Sequence, residues 1–288
     1  MLPASKAEMK RCPDGFLCIP AFCGRGNSHC TGFHAQQCMA DYFIHVCRKA
    51  GAIHLDAVGI ARSNINVLRV MKRIIEHTED GSATLFVPEL NEHYHSVKGA
   101  RTESQHIFID MGLKASAAPQ PHVLEIGFGT GLNALLTLEA AEQEKRPVHY
   151  TGIELYPLAW EEVDVLGYSD NLLFKQLHTA PWEEDVRIST YFTLRKIQAD
   201  ANTVSTLPLN PDLVYFDAFA PEKQPEMWNE QLFHSLYASM NIGGILTTYC
   251  AKGVIRRMLQ AIGFLVERLP GPPDGKREIL RATKRTNN

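Results

Sequence analysis

No stretch of this 288-residue sequence is apolar over the length that a membrane-spanning helix requires, which is about 20 residues. The content of 45% hydrophobic and 21% charged residues is that of an ordinary globular protein. The formal net charge of −3 is too small to indicate a partner by itself. We therefore expect a cytoplasmic protein without a membrane role.

The sequence also lacks the cysteine patterns of zinc sites, although six of its seven cysteines lie within the first 47 residues. These are Cys12, Cys18, Cys23, Cys30, Cys38 and Cys47. No two of them form a Cys-x-x-Cys pair, and the nearby His29, His34 and His45 follow no zinc-finger spacing. A secreted disulfide module would need a signal peptide, and none precedes them. We predict no metal site.

Residues 1–70 show little sustained hydrophobic periodicity, whereas Met71 looks like a natural protein start. On this basis, we predict that the chain consists of two parts. Residues 1–70 would be an extension that is non-functional or disordered, derived from an upstream start codon. Residues 71–288 would be the functional domain.

From Met71 onward, strand patterns alternate with helix patterns. A hairpin over 72–86 and a short helix over 101–108 come first. Predicted strands follow at 123–126, 148–154, 192–200, 211–217 and 245–250, with helices at 132–145, 157–166, 224–240 and 252–262 and a closing hairpin at 265–269 and 277–283. Such alternation predicts an α/β fold with a mostly parallel sheet, helices on both faces and an antiparallel C-terminal hairpin.

Glycine recurs at every second position after the first of these strands, at Gly127, Gly129 and Gly131. A strand, a glycine turn and a helix N-terminus together present free backbone N–H groups to a nucleotide-like ligand. A dinucleotide fingerprint would need glycine at the position of Leu132. Counted from Glu125, the spacing resembles instead the first motif of class I S-adenosylmethionine (SAM) methyltransferases. A glycine turn without a ligand is the alternative.

Acidic residues follow three of the predicted strands. Glu154 ends the second strand, 23 residues beyond Gly131, close to the distance of about 20 at which nucleotide folds place a ribose-binding acid. Asp200 stands near the end of the third strand. In class I methyltransferases, a residue at this position commonly contacts the adenine amino group. Asp217 ends the fourth. The alternatives are a chance surface acid for Glu154 and an acid that caps the following turn for Asp217.

The most specific stretch is Phe-Asp-Ala-Phe-Ala-Pro at 216–221, with Pro-Glu-Met-Trp at 225–228. It resembles the Asp-x-Phe-Ala-Pro-x-x-x-Pro-x-Met-Trp signature of the methyltransferase domain of MnmC proteins, which are bifunctional tRNA 5-methylaminomethyl-2-thiouridine biosynthesis proteins. Further similar segments lie at 99–104, 127–133, 243–244, 252–264 and 275–280. The resemblance covers nearly all of 71–288 and none of 1–70.

This resemblance implies a class I, Rossmann-like fold with a seven-stranded sheet and SAM as the methyl donor. It also implies a substrate, the 5-aminomethyl(-2-thio)uridine at wobble position 34 in the anticodon loop of tRNA. MnmC proteins carry a second, FAD-dependent oxidase domain, which has no counterpart in this sequence. We therefore expect a stand-alone methyltransferase and a partner enzyme that supplies the aminomethyl group.

The residue roles follow from the same resemblance and from the strand ends. We predict cofactor contacts from Glu125, Gly127, Phe128, Gly129, Gly131, Asn133, Glu154 and Asp200. Asp217 is predicted to hold the amine and accept its proton as a general base. Predicted substrate or tRNA contacts are Tyr94, Glu103, Lys252, Arg256, Arg257, Lys276 and Arg277. The loop at 93–95 is either a cap over the substrate pocket or a solvated loop.

Basic residues concentrate late in the chain. Residues 252–285 hold nine Lys and Arg against three acids, a local charge of +6, while the rest of 71–288 sums to −13. Such segregation is expected where a protein contacts phosphates. A solvated helix face is the alternative.

Two other functions fit parts of the pattern. An aminopropyltransferase of the spermidine synthase type binds decarboxylated SAM on a similar scaffold, but its fourth-strand motif lacks the Phe-Ala-Pro and Met-Trp elements. A non-catalytic tRNA-binding relict of the fold would not bind SAM.

Overall fold

The computed structural model describes residues 10–11, 17–18, 72–206 and 210–285. Strands β1 (Lys10–Arg11) and β2 (Leu17–Cys18) pair antiparallel in a unit of their own, Met1–Ser63. The predicted role of residues 1–70 otherwise lies outside the described residues. All elements below belong to the second unit, Asn64–Asn288.

A three-stranded antiparallel sheet opens this unit, with β3 (Ile74–His77), β4 (Ala83–Val87) and β5 (Glu92–His93) in chain order. The predicted hairpin over 72–86 is confirmed by the β3–β4 pair. Ala83, Leu85 and Val87 of β4 are buried on one face of the strand, and Thr84 on the opposite face is buried as well.

The turn of this hairpin caps the next helix, α1 (Ala100–Ser104), which continues as a π-helical segment, Gln105–Asp110. Gly99 at the N-cap has no side chain, so the first N–H groups of α1 bond elsewhere. Ser82 Oγ accepts from the backbone N of Ala100 at 3.1 Å, and Asp80 Oδ2 accepts from that of Thr102 at 2.9 Å. The turn therefore ties the small sheet to α1.

The central sheet has eight strands within the described residues, in the order β12-β13-β11-β10-β6-β7-β9-β8. The strands are β6 (His122–Ile126), β7 (Val148–Ile153), β8 (Asp185–Arg187), β9 (Phe192–Ile197), β10 (Leu213–Phe216), β11 (Ile245–Thr248), β12 (Phe264–Pro270) and β13 (Glu278–Lys284). The neighbours among β11, β10, β6, β7 and β9 are parallel, and β13 and β8 run antiparallel to their neighbours. This confirms the predicted parallel sheet with an antiparallel closing hairpin.

Helices cover both faces of the sheet. They are α2 (Leu132–Glu144), α3 (Trp160–Asp164), α4 (Leu172–Thr179), α5 (Glu230–Ser239) and α6 (Gly253–Ile262), with 3-10 turns at Leu113–Ala115, Ala201–Thr206 and Pro225–Met227. Successive residues of β6 alternate between two apolar clusters: Val123 packs with α2, α3 and α4, whereas Leu124 and Ile126 pack with α5 and α6. Among the helices described, none is both long and apolar enough to span a bilayer.

Four details of the predicted elements are wrong. The sheet has an eighth strand, β8, whose three-residue length leaves almost no periodic signal. Helix α4 lies where we predicted no helix, and the helix predicted over 157–166 covers only Trp160–Asp164. The helix predicted over 224–240 is split, because Asn229 caps α5 by accepting from the backbone N of Leu232 at 2.8 Å.

The capping role of Asp80 predicts a pH-dependent stability. Burial alone would raise the pKa of Asp80, but hydrogen bonds from Ser82, Thr78 and Thr102 outweigh it and lower the pKa. The ionised carboxylate therefore stabilises the fold fully at pH values above the pKa of Asp80 in the unfolded chain, which is about 3.9. This stabilisation is lost as the pH falls through the lower pKa of Asp80 in the folded protein. At pH 7, Asp80→Asn should lower the free energy of unfolding by about 0.5–2 kcal/mol, as the loss of a helix cap does.

Denaturant unfolding at pH 7 and pH 3 measures this effect, and the difference between wild type and Asp80→Asn should narrow at pH 3. Glu79→Gln is the control, because Glu79 is exposed and its side chain pairs with Lys98 at the surface. An equal loss at both pH values would show that the charge of Asp80 is not what stabilises the turn.

Candidate active site

The connections of the sheet reverse direction at β6, which pairs with β7 on one side and with β10 on the other. Open α/β sheets bind ligands at such a point, beyond the carboxyl ends of the strands. A cavity of about 360 Å³ lies there. The ladder continues past the strand ends, because Asp217 N donates to Ile126 O at 3.0 Å and Glu154 N donates to Ile197 O at 3.0 Å. The residues just after the strands therefore share one edge of the sheet.

The glycine turn after β6 takes a backbone path that favours glycine. Gly127, Gly129 and Gly131 have φ values of 89°, 47° and 70°. A Cβ atom at Gly127 would lie 2.8 Å from the carbonyl oxygen of Asp217, and one at Gly129 would lie 3.2 Å from the ring of Tyr94. Both positive φ and close approach thus require glycine here.

The backbone N–H groups of this turn are already bonded within the protein. Gly127 and Phe128 both donate to the carbonyl oxygen of Ile153, at 3.0 and 3.2 Å, and Gly129 donates to Glu154 Oε2 at 2.9 Å. The prediction that the turn presents free N–H groups is therefore wrong for these three residues. These three N–H groups are not available to a pyrophosphate, so this part of the turn is better suited to a neutral part of a ligand.

Glu154 and Asp200 are held in place by backbone donors at the ends of neighbouring strands. Glu154 Oε1 accepts from the backbone N of Tyr156 at 2.8 Å, so both carboxylate oxygens are oriented and each retains capacity for a further hydrogen bond. Asp200 Oδ1 accepts from both nitrogens of Asn202 at 2.9 Å. Both acids line the cavity.

Asn133 connects two acidic side chains beneath the cavity. Its Nδ2 donates to Glu125 Oε1 and to Asp217 Oδ2, each at 2.8 Å. Burial raises the pKa of Asp217 to about 7, against the opposing effect of the Asn133 hydrogen bond. Burial also raises the pKa of Glu125, which is fully buried behind Asn133. No described group hydrogen-bonds Asp217 Oδ1, which leaves that oxygen for a ligand.

The loop after β5 forms one wall of the cavity. Tyr94 packs edge-to-face on Phe219, with ring centroids 5.1 Å apart, and His95 Nε2 lies 2.8 Å from Thr130 Oγ1. Burial lowers the pKa of His95 to about 4, so this ring is neutral near pH 7. The alternative of a solvated loop does not describe these residues, because His93, Tyr94 and His95 all line the cavity.

The cavity brings together most of the residues predicted from the sequence. Those that line it are Tyr94, Glu103, Gly127, Phe128, Gly129, Asn133, Glu154, Asp200, Asp217 and Lys276. Those that do not line it are Glu125, Gly131, Lys252, Arg256, Arg257 and Arg277. Gly131 faces away from it, since a Cβ atom there would meet His178.

Sequence reasoning missed Arg73, Phe219 and Tyr249, which also line the cavity. The strand-end rule could have found Tyr249, because it directly follows β11. Phe219 lies two residues beyond Asp217, inside the signature. Arg73 precedes β3 and has no pattern in the sequence that points to a site.

The site fits SAM, the cofactor predicted from the sequence. Glu154 can accept from ribose hydroxyls, and Asp200 can accept from the adenine amino group. The buried Asn133 Oδ1 has no hydrogen-bond donor among the described residues, which leaves an acceptor at the cavity floor. The bonded glycine turn suits a cofactor that has no phosphate.

Comparisons with known proteins support the same cofactor. A family described as S-adenosyl-L-methionine-dependent methyltransferase matches residues 168–285. The tRNA 5-methylaminomethyl-2-thiouridine biosynthesis bifunctional protein MnmC of Cupriavidus metallidurans is 32% identical over 238 residues, 74% of this chain and 34% of that protein. The MnmC of Magnetococcus marinus is 30% identical over 217 residues, 69% of this chain and 32% of that protein. This chain thus spans about a third of the length of both relatives.

One solved structure shares the fold over most of its length. The crystal structure of MNMC2 from Aquifex aeolicus has a TM-score of 0.61 at 22% identity, and the match covers 88% of this chain and 84% of that one. At this level of sequence identity, the match establishes a shared fold alone.

The role of the glycine turn can be tested with a matched pair of variants. Gly129→Val and Gly167→Val place the same side chain at positive φ, 47° and 62°, but a Cβ atom at Gly167 would meet nothing within 4 Å. We expect both to lose stability, by at least about 1–2 kcal/mol. Only Gly129→Val should weaken SAM binding, by tenfold or more, because it displaces Tyr94 and fills the cavity edge. Isothermal titration calorimetry checks this, and equal SAM affinity in the two variants would place the cofactor elsewhere.

Proposed function

We propose a tRNA substrate for this protein because it carries an MnmC-like, S-adenosyl-L-methionine-dependent methyltransferase domain. The proposed reaction transfers a methyl group from SAM to the 5-aminomethyl nitrogen of wobble uridine 34, with or without a 2-thio group. The product would be 5-methylaminomethyl(-2-thio)uridine. The observation that carries the proposal is the position of Asp217, a carboxylate with one unbonded oxygen in the same cavity as the glycine turn and Glu154.

When bound, SAM supplies a methyl group on a sulfonium, so that an N–C bond can form as the S–C bond breaks. The protein must then align a neutral amine with that methyl group. An alkylamine is mostly protonated near neutral pH, so it must lose a proton to react. Asp217 can hold the amine and take the proton, and its pKa of about 7 is suited to a general base at that pH.

Other residues would hold the cofactor. Glu154 would accept from the ribose hydroxyls and Asp200 from the adenine amino group, while Gly127 and Gly129 let the cofactor lie against the backbone. Tyr94 and Phe219 exclude water from the cavity wall. A relict of the fold would have no need of a carboxylate with an unbonded oxygen in the cavity, which favours an enzyme over a binding protein.

The basic surface of α6 is the proposed contact for the tRNA backbone. Lys252 forms an ion pair with Glu222, whereas no acidic partner of Arg256 or Arg257 is found in the described part of the chain. Arg257 and Arg277 are exposed and Arg256 is half-buried. Unpaired guanidinium groups at the surface are suited to phosphates.

The assignment of Asp217 predicts a change in turnover and in its pH profile. Asp217→Asn should retain SAM binding and lower kcat on tRNA with 5-aminomethyluridine by about 10²–10⁴. Wild-type kcat should rise as the pH increases through about 7, because the Asp217 carboxylate ionises there. The kcat of Asp217→Asn should not show this rise. Asp185→Asn, on edge strand β8, is the control. Wild-type turnover in Asp217→Asn would contradict the base assignment.

The tRNA contact predicts a change in salt dependence. Arg256→Gln with Arg257→Gln should raise the tRNA KM and reduce the slope of log KM against log salt by about 1–2, because each lost phosphate contact removes counterion release. Arg268→Gln is the matched control, since Arg268 is paired with Glu278 at 3.4 Å. An unchanged slope in the double variant would mean that the backbone binds elsewhere.

A further inference from the structure

A primary ammonium group already lies in the cavity, and it belongs to Lys276. Lys276 stands in the turn between β12 and β13, and its Nζ donates to Glu103 Oε1 at 2.6 Å. The same Nζ lies 4.4 Å from the ring centroid of Tyr249, within the range of a cation–π contact. Lys276, Glu103 and Tyr249 all line the cavity together with Asp217.

Glu103 is fixed in place independently of Lys276. Its Oε2 accepts from the backbone N of Ser96 at 3.0 Å, and its side chain is only 11% exposed. A carboxylate at such a position needs a cation, because an unpaired charge with little access to water is costly. Whenever Lys276 leaves, another cation must take its place.

Lys276 can be exchanged for another cation. Its side chain is 43% exposed and extends from a surface turn, so its ammonium can move into water. Because the side chain of Glu103 is only 11% exposed, Lys276 leaves at low cost only when a second cation replaces it at this carboxylate.

The ammonium position lies in the same cavity as Asp217, and the charges of Glu103 and Lys276 both influence the pKa of Asp217. The Tyr249 hydroxyl donates to the carbonyl oxygen of Ala218 at 2.8 Å, which anchors the ring beside the residue that follows Asp217. One face of the ring contacts the Lys276 ammonium. A ligand amine at that face would share the cavity with the base.

We propose that Glu103 and Tyr249 form the subsite that recognises the aminomethyl group of the substrate as an ammonium, and that Lys276 fills this subsite until the substrate enters. The inference rests on the proposed function and adds the recognition of its reactive group. The exchange replaces one primary alkylammonium by another, so Glu103 stays paired throughout. For methyl transfer, the amine must then come within hydrogen-bond distance of Asp217, whose carboxylate accepts the proton as the N–H bond breaks and leaves the nitrogen lone pair free to attack.

Two tRNAs that differ only in the aminomethyl group on uridine 34 test this subsite. Their Kd values are measured without SAM, so that no turnover occurs, for wild type, Lys276→Met and Glu103→Gln. The ratio of the two Kd values isolates the contribution of the amine. Glu103→Gln should reduce the preference for the aminomethyl tRNA by about tenfold or more, as expected for the loss of a hydrogen bond to a charged group. Lys276→Met should increase it by roughly threefold or more, because it removes the competing occupant.

Lys114→Met is the matched control, because Lys114 pairs with Asp110 at 2.8 Å on the surface, and it should leave the ratio unchanged. A Lys276→Met variant that weakens both tRNAs equally would overturn the proposal and make Lys276 a backbone contact. A wild type that methylates the aminomethyl tRNA while Glu103→Gln leaves the ratio unchanged would overturn the subsite alone. A wild type that neither prefers nor methylates this tRNA would refute the proposed function as well.

Discussion

The parallel register of β6 with β7 and β10 is the constraint on which the site depends. It pairs Ile126 with Ile153 on one side and with Phe216 on the other, so that the residue after each strand lies at the same edge. Gly127, Glu154 and Asp217 follow these strand ends. A shift of one residue in either pair would turn an acid away from the cavity, because side chains alternate along a strand.

Within that frame, Asn133 determines the electrostatics of the cavity floor. Its amide nitrogen bonds both Glu125 and Asp217, so two acids lie close together with little access to water. Desolvation of this kind favours the protonated form of a carboxyl, which brings the pKa of Asp217 to about 7. Asn133 leaves one oxygen of Asp217 unbonded, and the acid can therefore act on a ligand as well as support the structure.

The sequence predicted the parallel sheet, the glycine turn and the acids at strand ends, because each depends on local chemistry. Apolar runs mark buried strands, and glycine marks positive φ. We did not predict β8, whose three residues carry almost no periodic signal, or α4, whose apolar periodicity extends over only eight residues. The sequence also did not predict Arg73 in the cavity wall, because the position of Arg73 depends on how the small sheet packs on the domain. The spacing of the motif did not reveal that Glu154 accepts a hydrogen bond from the backbone N–H of Gly129. Such pairings arise only when distant segments meet.

The proposed methyl transfer to an aminomethyl nitrogen on tRNA can be measured directly. The protein and SAM are incubated with tRNA carrying 5-aminomethyluridine at position 34, and with the same tRNA carrying uridine there, and the nucleosides are then analysed by mass spectrometry. We predict the gain of one methyl group on the aminomethyl nitrogen of the first tRNA and no change in the second. A protein that binds SAM but methylates neither tRNA, or that transfers an aminopropyl group from decarboxylated SAM to putrescine, would contradict it.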